Sequence, residues 1–596
     1  MLLQRLVEYG RNSSTVPPPY YKTQTVRWAL ELHADGSLAA SQLTSLADPS
    51  NRALKNGAPH TIPSITKTSG IAPKIAVDTP EYLFGWCSEG VKPHRVEAAH
   101  TAFKELNRAW IAAEPAGPAK ALAAFWENGH ATRVTTQEPW SRGDLVAVRI
   151  DGEFLYDTDS AKRFWATVAA ERKTSGVRGL CLVCGRTGDL LKTMPQQLPS
   201  RLVPQATQSA SLISVNKATH GFDLTEQLVH VPVCAVCGLL AMSSLEGLLG
   251  EQWTSARAGQ DARLAWWVTG GNEFDLTVLD QPTPDRVRAL LNSAATGRHP
   301  AAPASGEWDT FCAIAIGGNV SRVVVRDWIE RPLPHIQRNL INWFDDHEVV
   351  DRWTGEVQPV SLGRLATAAG RWIAGEGDRG AYAKFGASGE DRPDGIQQAL
   401  WRSALLAKPL PPKLLAHLVH RVRADGRLDT ARLALIRLAL RRRNPTNREA
   451  YMPTLNPHNH EPSYLAGRVF AVLEDIQLSA ARANGDEAPG TTFTDRYFAR
   501  AVTSPAVALV AGRRDARAWL RRMRARQPGW AYVAEQRLDE LFTQIAEAGG
   551  MPHGVVLADQ AAFILGYHHQ RAELFRDRAE RAKNKTAESA DEGALA

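Results

Sequence analysis

Four cysteines with a paired spacing are the residues of this sequence that are best suited to hold a metal ion. They form two CxxCG motifs, one at each end of a long segment. Each CxxC turn directs two thiolates toward one point, and the glycine that follows allows the backbone to fold back toward the sulfurs. Four thiolates complete a tetrahedral Zn²⁺ shell with no open position, which is typical of a structural site. The alternative is four buried or disulfide-bonded cysteines. The predicted zinc ligands are Cys181, Cys184, Cys234 and Cys237.

Polar side chains fill part of the segment between the two motifs. Residues 205–216 are small and rich in the amide and hydroxyl groups that hydrogen-bond to polar ligands. A metal that joins the ends of a long loop stabilises it, because it removes loop-closure entropy. We therefore expect the zinc clip to hold a polar loop, with Gln208, Ser209, Ser211 and Asn216 as candidate contacts.

A second polar loop, residues 67–74, lies nearer the N-terminus. It offers two cations, two hydroxyls, and a glycine and a proline that fix a turn. Lys67 and Lys74 supply charge for a phosphate backbone, and Thr68 and Ser69 supply hydrogen-bond donors. The alternative is an ordinary solvated loop.

Two arginines share one face of a predicted strand. Residues 317–319 (Gly-Gly-Asn) have the composition of a hairpin turn, and mostly β-branched residues follow them. Arg322 and Arg326 are an even number of positions apart, so they project from the same face. Such a strand meets nucleic acid or protein carboxylates; alternatively, it is a solvated edge strand that its charge protects from aggregation.

Basic residues are also dense in two predicted helical regions. Residues 401–450 contain twelve Lys or Arg and three Asp or Glu, which gives a net charge of +9 (12 − 3). A second cluster begins at Arg513 and includes Arg517 and Arg521. Such density predicts a positively charged track for a nucleic-acid backbone. The alternative is a solvated, arginine-rich surface.

The elements that must position these residues change in character along the chain. Helical and strand periodicities alternate up to about residue 394, and long amphipathic helices follow. We predict an α+β fold in which a mixed α/β N-terminal and central region, with its zinc clip, precedes an all-α C-terminal helical bundle. The predicted parts are an N-terminal α/β domain (1–165), the zinc-clip region with its polar loop (166–300), a β-containing central region and linker (301–394), the helical bundle (395–580) and a disordered tail (581–596).

Composition limits the class of protein. A chain of 596 residues is too long for one core, and its net charge of +7 permits a nucleic-acid partner without requiring one. Outside the paired motifs, only Cys87 and Cys312 are cysteines, which favours a reducing cytoplasm. The sequence shows no signal peptide and no stretch long enough to span a membrane, so we expect a cytoplasmic protein.

Motifs of common enzyme classes are missing from the sequence. It has no GxxxxGK[ST] phosphate loop, no GxSxG elbow and no HExxH zinc pair. We interpret residues 345–347 (Asp-Asp-His) and 458–460 (His-Asn-His) as loop residues without a spaced metal partner. We therefore predict that the chain is not an enzyme. Two other hypotheses are a zinc-containing nuclease of mobile-element defence and a purely structural scaffold.

Several segments, taken in order, resemble one known family. They are MLLQRLVEY at 1–9, PPPY at 17–20, KTSGIAP at 67–73, QSASLISVN at 208–216, NVSRVVVR at 319–326, RVRAD at 421–425, YLAGRVFAVLE at 464–474 and FILGYHHQR at 563–571. Together they make the sequence similar, almost end to end, to the large subunit of Cascade, the type I-C CRISPR surveillance complex. It departs from the family at Lys74, where the signature has Asn, and at Cys184-Gly185, where many relatives have Thr-Gly.

This resemblance implies a non-enzymatic role in crRNA-guided antiviral defence. Large subunits of this family lie beside the 5′ handle of the crRNA, read the PAM in double-stranded target DNA, help to open the duplex and stabilise the R-loop. They contact other Cascade subunits, including the backbone and small subunits, and present the R-loop to a separate helicase-nuclease. The helical C-terminal part is also made separately as a small subunit in this family, for which Met452 is a suitable internal start.

Residue patterns and resemblance together define one set of predicted nucleic-acid contacts. They are Lys67, Thr68, Ser69, Lys74, Gln208, Ser209, Ser211, Asn216, Arg322, Arg326, Arg517 and Arg521.

Overall fold

The computed structural model describes residues 2–594 with internal gaps. The gaps are 14–16, 19, 53, 66–69, 88–89, 137–139, 142, 251–261, 270–273, 296–308, 376–379, 444–448 and 486–488. The chain divides into two compact units. Unit 1 comprises Met1–Ala256, Asp261–Gly271 and Cys312–Trp328; unit 2 comprises Arg257–Gln260, Asn272–Phe311 and Ile329–Ala596. The fold is mixed α/β with a helical C-terminal region, which confirms the predicted class. The five-part division stays a prediction.

Unit 1 combines helices with several small sheets. Its helices are α1 (Leu2–Asn12), α2 (Pro80–Phe84), α3 (Pro93–Ala113), α4 (Ala119–Glu127), α5 (Asp159–Lys173) and α6 (Ala235–Gly250). Its strands are β1 (Tyr21–Val26), β2 (Trp28–Leu32), β3 (Thr44–Ser45), β4 (Ala58–Pro63), β5 (Val77–Asp78), β6 (Val146–Ile150), β7 (Glu153–Phe154), β8 (Thr174–Leu180), β9 (Thr187–Leu191), β10 (Ala206–Ser211), β11 (Arg263–Val268) and β12 (Thr310–Pro332), whose two ends belong to unit 2.

The first core of unit 1 forms around a mixed sheet. Its strands run in the order β3-β2-β6-β5, with β7 beside β6, and β2 pairs parallel with β6 from Trp28↔Val146 to Leu32↔Ile150. Helix α3 buries Phe103 and Trp110, which lie seven residues apart, together with other apolar residues at helical spacing. Helix α4 adds Leu122 and Phe125 to the same core.

A second core of unit 1 surrounds the cysteines. Helix α1 packs on α6 and contributes Leu6 and Val7, both buried. The sheet β10-β12-β11 supplies further apolar residues to this core, including Ile314 and Trp267. The apolar face of α1 therefore packs into the same core as the cysteines.

Strand β12 contains the strand pair that we predicted around residues 317–319. The Leu333 N–H donates to the Asp309 carbonyl at 2.8 Å, whereas the 23 residues of β12 in a straight strand would separate its ends by roughly 70 Å. The segment therefore folds back on itself, which confirms the predicted hairpin, and Val320, midway along it, has a φ of 55°. Gly318 also allows a close approach, because a Cβ atom there would lie 2.7 Å from the backbone nitrogen of Ala206 on β10.

Unit 2 is mainly helical. Its helices are α7 (Pro284–Ala295), α8 (Leu333–His347), α9 (Leu362–Ala368), α10 (Ile396–Leu406), α11 (Pro412–Asp425), α12 (Thr430–Arg443), α13 (Pro462–Ala483), α14 (Phe493–Ala501), α15 (Pro505–Arg526), α16 (Pro528–Glu547) and α17 (Leu557–Ala594). Two short antiparallel pairs accompany them, β13 (Val349–Val350) with β14 (Val357–Gln358) and β15 (Trp372–Ile373) with β16 (Ala381–Tyr382). The tail 581–596, which we expected to be disordered, is helical as far as Ala594.

Helix α13 is the centre of the bundle. It packs against α15, α16 and α17 and is buried on most sides. The crossing with α17 depends on two glycines: a Cβ at Gly467 would lie 2.1 Å from the Phe563 carbonyl oxygen, and one at Gly566 would lie 2.1 Å from that of Tyr464. The two backbones touch, which explains why glycine stands at both positions.

Candidate metal centre and nucleic-acid interface

The four predicted zinc ligands converge in unit 1. Their sulfur atoms all lie within 4.8 Å of one another, and the Cys184 and Cys234 sulfurs are 4.0 Å apart. Cys181 and Cys237 are buried, whereas Cys184 and Cys234 are half-buried. The β8–β9 hairpin brings in the first motif, because the Cys181 N–H donates to the Arg186 carbonyl at 3.0 Å. The second motif stands at the start of α6.

Backbone N–H groups favour a thiolate at one of these positions. Burial alone raises the pKa of the Cys181 thiol, but the N–H groups around it outweigh burial and lower that pKa to about 7. Among them, the Val183 N–H lies 3.4 Å from the sulfur and the Cys234 N–H lies 3.3 Å from it. Burial raises the pKa of Cys234 and of Cys237. A bound cation offsets that cost, because metals bind the deprotonated form of cysteine.

The geometry of the sulfurs fits a tetrahedral metal. Zinc–sulfur bonds of about 2.3 Å place the sulfurs of a tetrahedral site about 3.8 Å apart, so the four side chains need only small adjustments. All four donors are soft thiolates, which select zinc or iron–sulfur centres over hard cations. The predicted ligand set is therefore brought together, and it is consistent with a metal centre.

The polar loop and the arginine strand pack on the same core as the cysteines, and together they form one surface. Strand β10 pairs parallel with β12, matching Ala206 with Val320 and Ser211 with Arg322. The Arg322 guanidinium donates to the Asn216 side-chain oxygen at 2.7 Å. We call Gln208, Ser209, Ser211, Asn216, Arg322 and Arg326 the β10–β12 surface. Gln208, Ser209, Asn216 and Arg322 are exposed, and Ser211 and Arg326 are half-buried.

Arg326 has a partner on the same surface, since it donates to the Gln205 side-chain oxygen at 3.3 Å. The sequence separated the two halves of this surface by more than a hundred residues, and only the strand pairing joins them. Amides held by guanidinium groups keep fixed orientations, which suits the recognition of base edges.

The other predicted loop is described only in part. Lys67, Thr68 and Ser69 lie outside the described residues. Lys74 is 6% exposed, and its N–H donates to the Asp78 carboxylate at 2.9 Å. We predicted that Lys74 supplies charge to a phosphate backbone, whereas the chain turns inward here and buries Lys74 in unit 1. Its contact with nucleic acid stays a prediction.

The arginines of α12 serve the interior of unit 2. Arg432 and Arg437 are fully buried. Arg437 donates to the carbonyl of Tyr451 at 2.8 Å and to that of Glu348 at 2.8 Å. Arg441 pairs with Asp345 and with Asp346. The basic track predicted from residues 401–450 therefore loses its central arginines, which satisfy backbone carbonyls and carboxylates instead.

Residues 345–347 lie next to those arginines, and Asp345 and Asp346 form the ion pairs with Arg441. They end helix α8 rather than lying in a loop, and Asp346 and His347 are buried. The two ring nitrogens of His347 lie 2.7 Å from the Trp343 carbonyl oxygen and 3.1 Å from that of Val360. Burial lowers its pKa to about 4, so the imidazole is neutral. These residues belong to the core.

Helix α15 presents its arginines to solvent. Arg517 and Arg521 are one helical turn apart and exposed. Neither forms an ion pair with any residue that the structure describes. Arg513 and Arg524 pair with Asp539 and Glu535 of α16, and both remain exposed. This helix keeps the charge that the sequence predicted for it.

Comparison with known proteins decides the family. The model of a CRISPR-associated protein family, Cas_Csd1, matches residues 3–575. The chain belongs to the Cas_Csd1 family. No curated protein matches it significantly. Family membership supports a CRISPR-associated, large-subunit-like Cas protein, in agreement with the coarser part of the predicted resemblance. No helix of the described part of the chain is long and apolar enough to cross a membrane.

One feature of this Cas_Csd1 chain escaped sequence reasoning. Between Asn216 and the second cysteine motif, a loop exposes Phe222 (79%) and Leu224 (73%). Asp223 and Leu224 have φ values of 52° and 51°, in the left-handed region. The base of the loop is closed by the Gln227 N–H, which donates to the Val215 carbonyl at 2.8 Å. We call residues 222–224 the apolar tip. The sequence could have indicated it, because Phe222 and Leu224 are two large apolar residues within a polar segment.

Proposed function

We propose that this chain is the large subunit of type I-C Cascade and that it recognises the PAM without cleaving DNA. The observation that carries the proposal is the β10–β12 surface, where Arg322 orients Asn216. This surface packs on the same core as the four cysteines. Membership of the Cas_Csd1 family supports the CRISPR context. An oriented amide pairs donor and acceptor with a base edge, and guanidinium groups bind guanine or phosphate.

Zinc has a structural part in this proposal. Four thiolates fill its coordination shell and leave no position for water or substrate, which argues for the binding role over the zinc nuclease. When bound, the ion joins the ends of the segment that carries β10 and the apolar tip. The chain's own residues then present Asn216 and Arg322 in fixed positions.

Partners and steps follow from the same proposal. The chain binds the crRNA 5′ handle, the PAM-bearing duplex, the backbone and small subunits and, after R-loop formation, a separate helicase-nuclease. Exposed arginines of α15 neutralise phosphates. Because the heteroduplex that forms is about as stable as the DNA duplex that is lost, such contacts are enough to favour strand exchange. Cytoplasmic location belongs to this proposal as well.

A test of PAM recognition uses assembled Cascade and two duplexes that differ only in the PAM. Replacing Asn216 and Arg322 by alanine should reduce the ratio of the two affinities about tenfold or more, because a good base contact contributes about 1–3 kcal/mol. Arg52→Ala is the matched control, since Arg52 is exposed in the same unit. An unchanged ratio in the double variant, with normal assembly, rejects this surface as the PAM reader.

Duplex opening is assigned to the apolar tip. Apolar side chains that enter a base step unstack it, and stacking on an aromatic ring contributes about 1–3 kcal/mol per base. Phe222→Ala should slow strand opening about tenfold, measured by permanganate reactivity of unpaired thymines, and leave closed-duplex affinity unchanged. Val229→Ala, which removes another exposed apolar side chain, is the control. Equal opening rates for the two variants would exclude the tip.

A further inference from the structure

A basic cavity in unit 2 is lined by none of the residues predicted above as nucleic-acid contacts. Its volume is about 360 Å³. The residues that line it are Arg331, His335, Arg338, Asn339, Leu406 and Lys408. Three of them carry permanent positive charge, and none of these described lining residues is acidic. We propose that this cavity binds the phosphodiester backbone of a nucleic-acid strand.

Helix α8 positions one wall of the cavity. Its apolar residues Leu333, Ile336 and Leu340 are buried, so His335 and Arg338 lie on the opposite, exposed side, one turn apart. Arg331 precedes the helix and remains exposed. The helical spacing therefore places the basic side chains on the exposed face of α8. The buried apolar face packs into unit 2 and holds the helix in position.

The other wall comes from the end of α10 and the residues after it. The Asn339 side-chain amide donates to the Leu405 carbonyl at 2.8 Å, which ties α8 to the last turn of α10. Ala407 has a φ of 52° at the helix end, and Lys408 follows it and is exposed. This cross-link holds Lys408 opposite the arginines without using any of their charge.

The charges of the cavity are available to a ligand. His335, Arg338 and Lys408 form no ion pair with any residue of the described ranges, and Arg331 donates to the carbonyl of its neighbour Glu330 at 3.0 Å. Concentrated positive charge without carboxylates attracts anions, and guanidinium forks match phosphate oxygens. This contrasts with α12, where carboxylates and carbonyls already occupy the arginines.

Cavity size favours a phosphate within a strand over an isolated ion. The volume of about 360 Å³ is many times the roughly 30 Å³ that one water molecule occupies in the liquid, which leaves room for a phosphate with its sugar. The inference rests on the proposed function, because it adds a backbone contact to a nucleic-acid-binding subunit. This contact differs from PAM recognition because it does not depend on the base sequence: phosphate contacts position a strand without reading its bases.

The test measures how the affinity of the full chain for labelled single strands of DNA and RNA depends on salt. For Arg338→Ala we expect binding about threefold to tenfold weaker at low salt, and a log–log salt slope smaller by about 0.7, as for one lost phosphate contact on a single strand. Adding Lys408→Ala should reduce the slope again by a similar amount. A reduced slope with either oligonucleotide supports the site and shows which strand it accepts.

Arg364→Ala is the matched control, because Arg364 is exposed in the same unit and does not line the cavity. Equal slopes for Arg338→Ala and Arg364→Ala overturn the inference. So does inorganic phosphate that displaces the oligonucleotide at equal concentration, since the cavity would then be a small-anion site. PAM discrimination by assembled Cascade is measured separately: its absence in the unmodified complex refutes the proposed function, whereas intact discrimination with unchanged slopes refutes only this site.

Discussion

Helices α12 and α15 are both rich in arginine, and they use it in opposite ways. In α12, Arg432 and Arg437 are buried and donate to backbone carbonyls. In α15, Arg517 and Arg521 face solvent. The difference lies in what surrounds each helix: α12 packs against α8, α9, α11 and α17, whereas α15 keeps an open face. Charge density along a sequence therefore does not identify a binding surface until the packing of its helix is known.

Unit 1 repeats this contrast between internal and external polar groups. The four cysteine sulfurs face one another inside the second core, whereas Asn216 and Arg322 lie on the surface beside it. Internal polar groups should affect stability and external ones should affect binding. Each prediction below tests that separation, beginning with the largest effect.

The metal centre should give the largest change. Cys237→Ser removes a buried ligand, and we expect unit 1 to lose more than about 5 kcal/mol, because structural zinc contributes about 10–16 kcal/mol of apparent binding energy in small metal-dependent domains. Elemental analysis should find about one Zn²⁺ per chain, and thermal unfolding should show the loss. Cys87→Ser, which replaces an exposed cysteine, is the control. A metal-free, fully folded chain would refute the clip.

Removal of a buried arginine should be the next largest effect. Arg437→Ala leaves several carbonyls without a donor and opens a cavity, so we expect a loss of about 3–5 kcal/mol in the free energy of unfolding. Burial lowers the pKa of Arg437 to about 9, with Arg441 adding to the shift. Urea denaturation at pH 7 measures the loss. Arg437→Lys should recover only part of it, because an ammonium group cannot reproduce the guanidinium fork.

These predictions show where sequence reasoning succeeded and where it stopped. Cysteine spacing and helical periodicity are local properties, so the four ligands and the helical C-terminal region were predictable. Whether Arg437 is buried depends on α8 and on residues near 450, and the pairing of Arg322 with Asn216 depends on two strands more than a hundred residues apart. The turn near Gly318 was predictable from local sequence, whereas its close approach to Ala206 of β10 depends on the strand pairing and was not.

Mild acid should lower the stability of the helical unit through two buried histidines. Burial lowers the pKa of His347 and of His568 to about 4. Because these values lie below the unfolded value of about 6.5, the unfolded chain binds protons first. Stability is therefore intact above about pH 6.5 and falls as the pH approaches 4.

Between pH 7 and pH 5, we expect a loss of about 1.5–2 kcal/mol for each of these two imidazoles. Urea midpoints at the two pH values measure it. His347→Gln should be less stable at pH 7 and should lose less on acidification, because the titrating group is gone. If this variant and the unmodified chain lose the same free energy, His347 does not titrate as the structure indicates.

The exposed arginines of α15 should have the smallest effect on stability. Replacing Arg517 and Arg521 by alanine should change the free energy of unfolding by less than about 0.5 kcal/mol, since exposed side chains without partners contribute little. The same variant should bind duplex DNA with a log–log salt slope smaller by about 1.8, because each contact with B-DNA phosphate contributes about 0.9. Binding at graded salt measures this slope, and Arg364→Ala controls for the lost charge. If the double variant is destabilised and its salt slope is unchanged, the assignment is wrong. The arginines of α15 would then stabilise the fold, as those of α12 do, and would not contact nucleic acid.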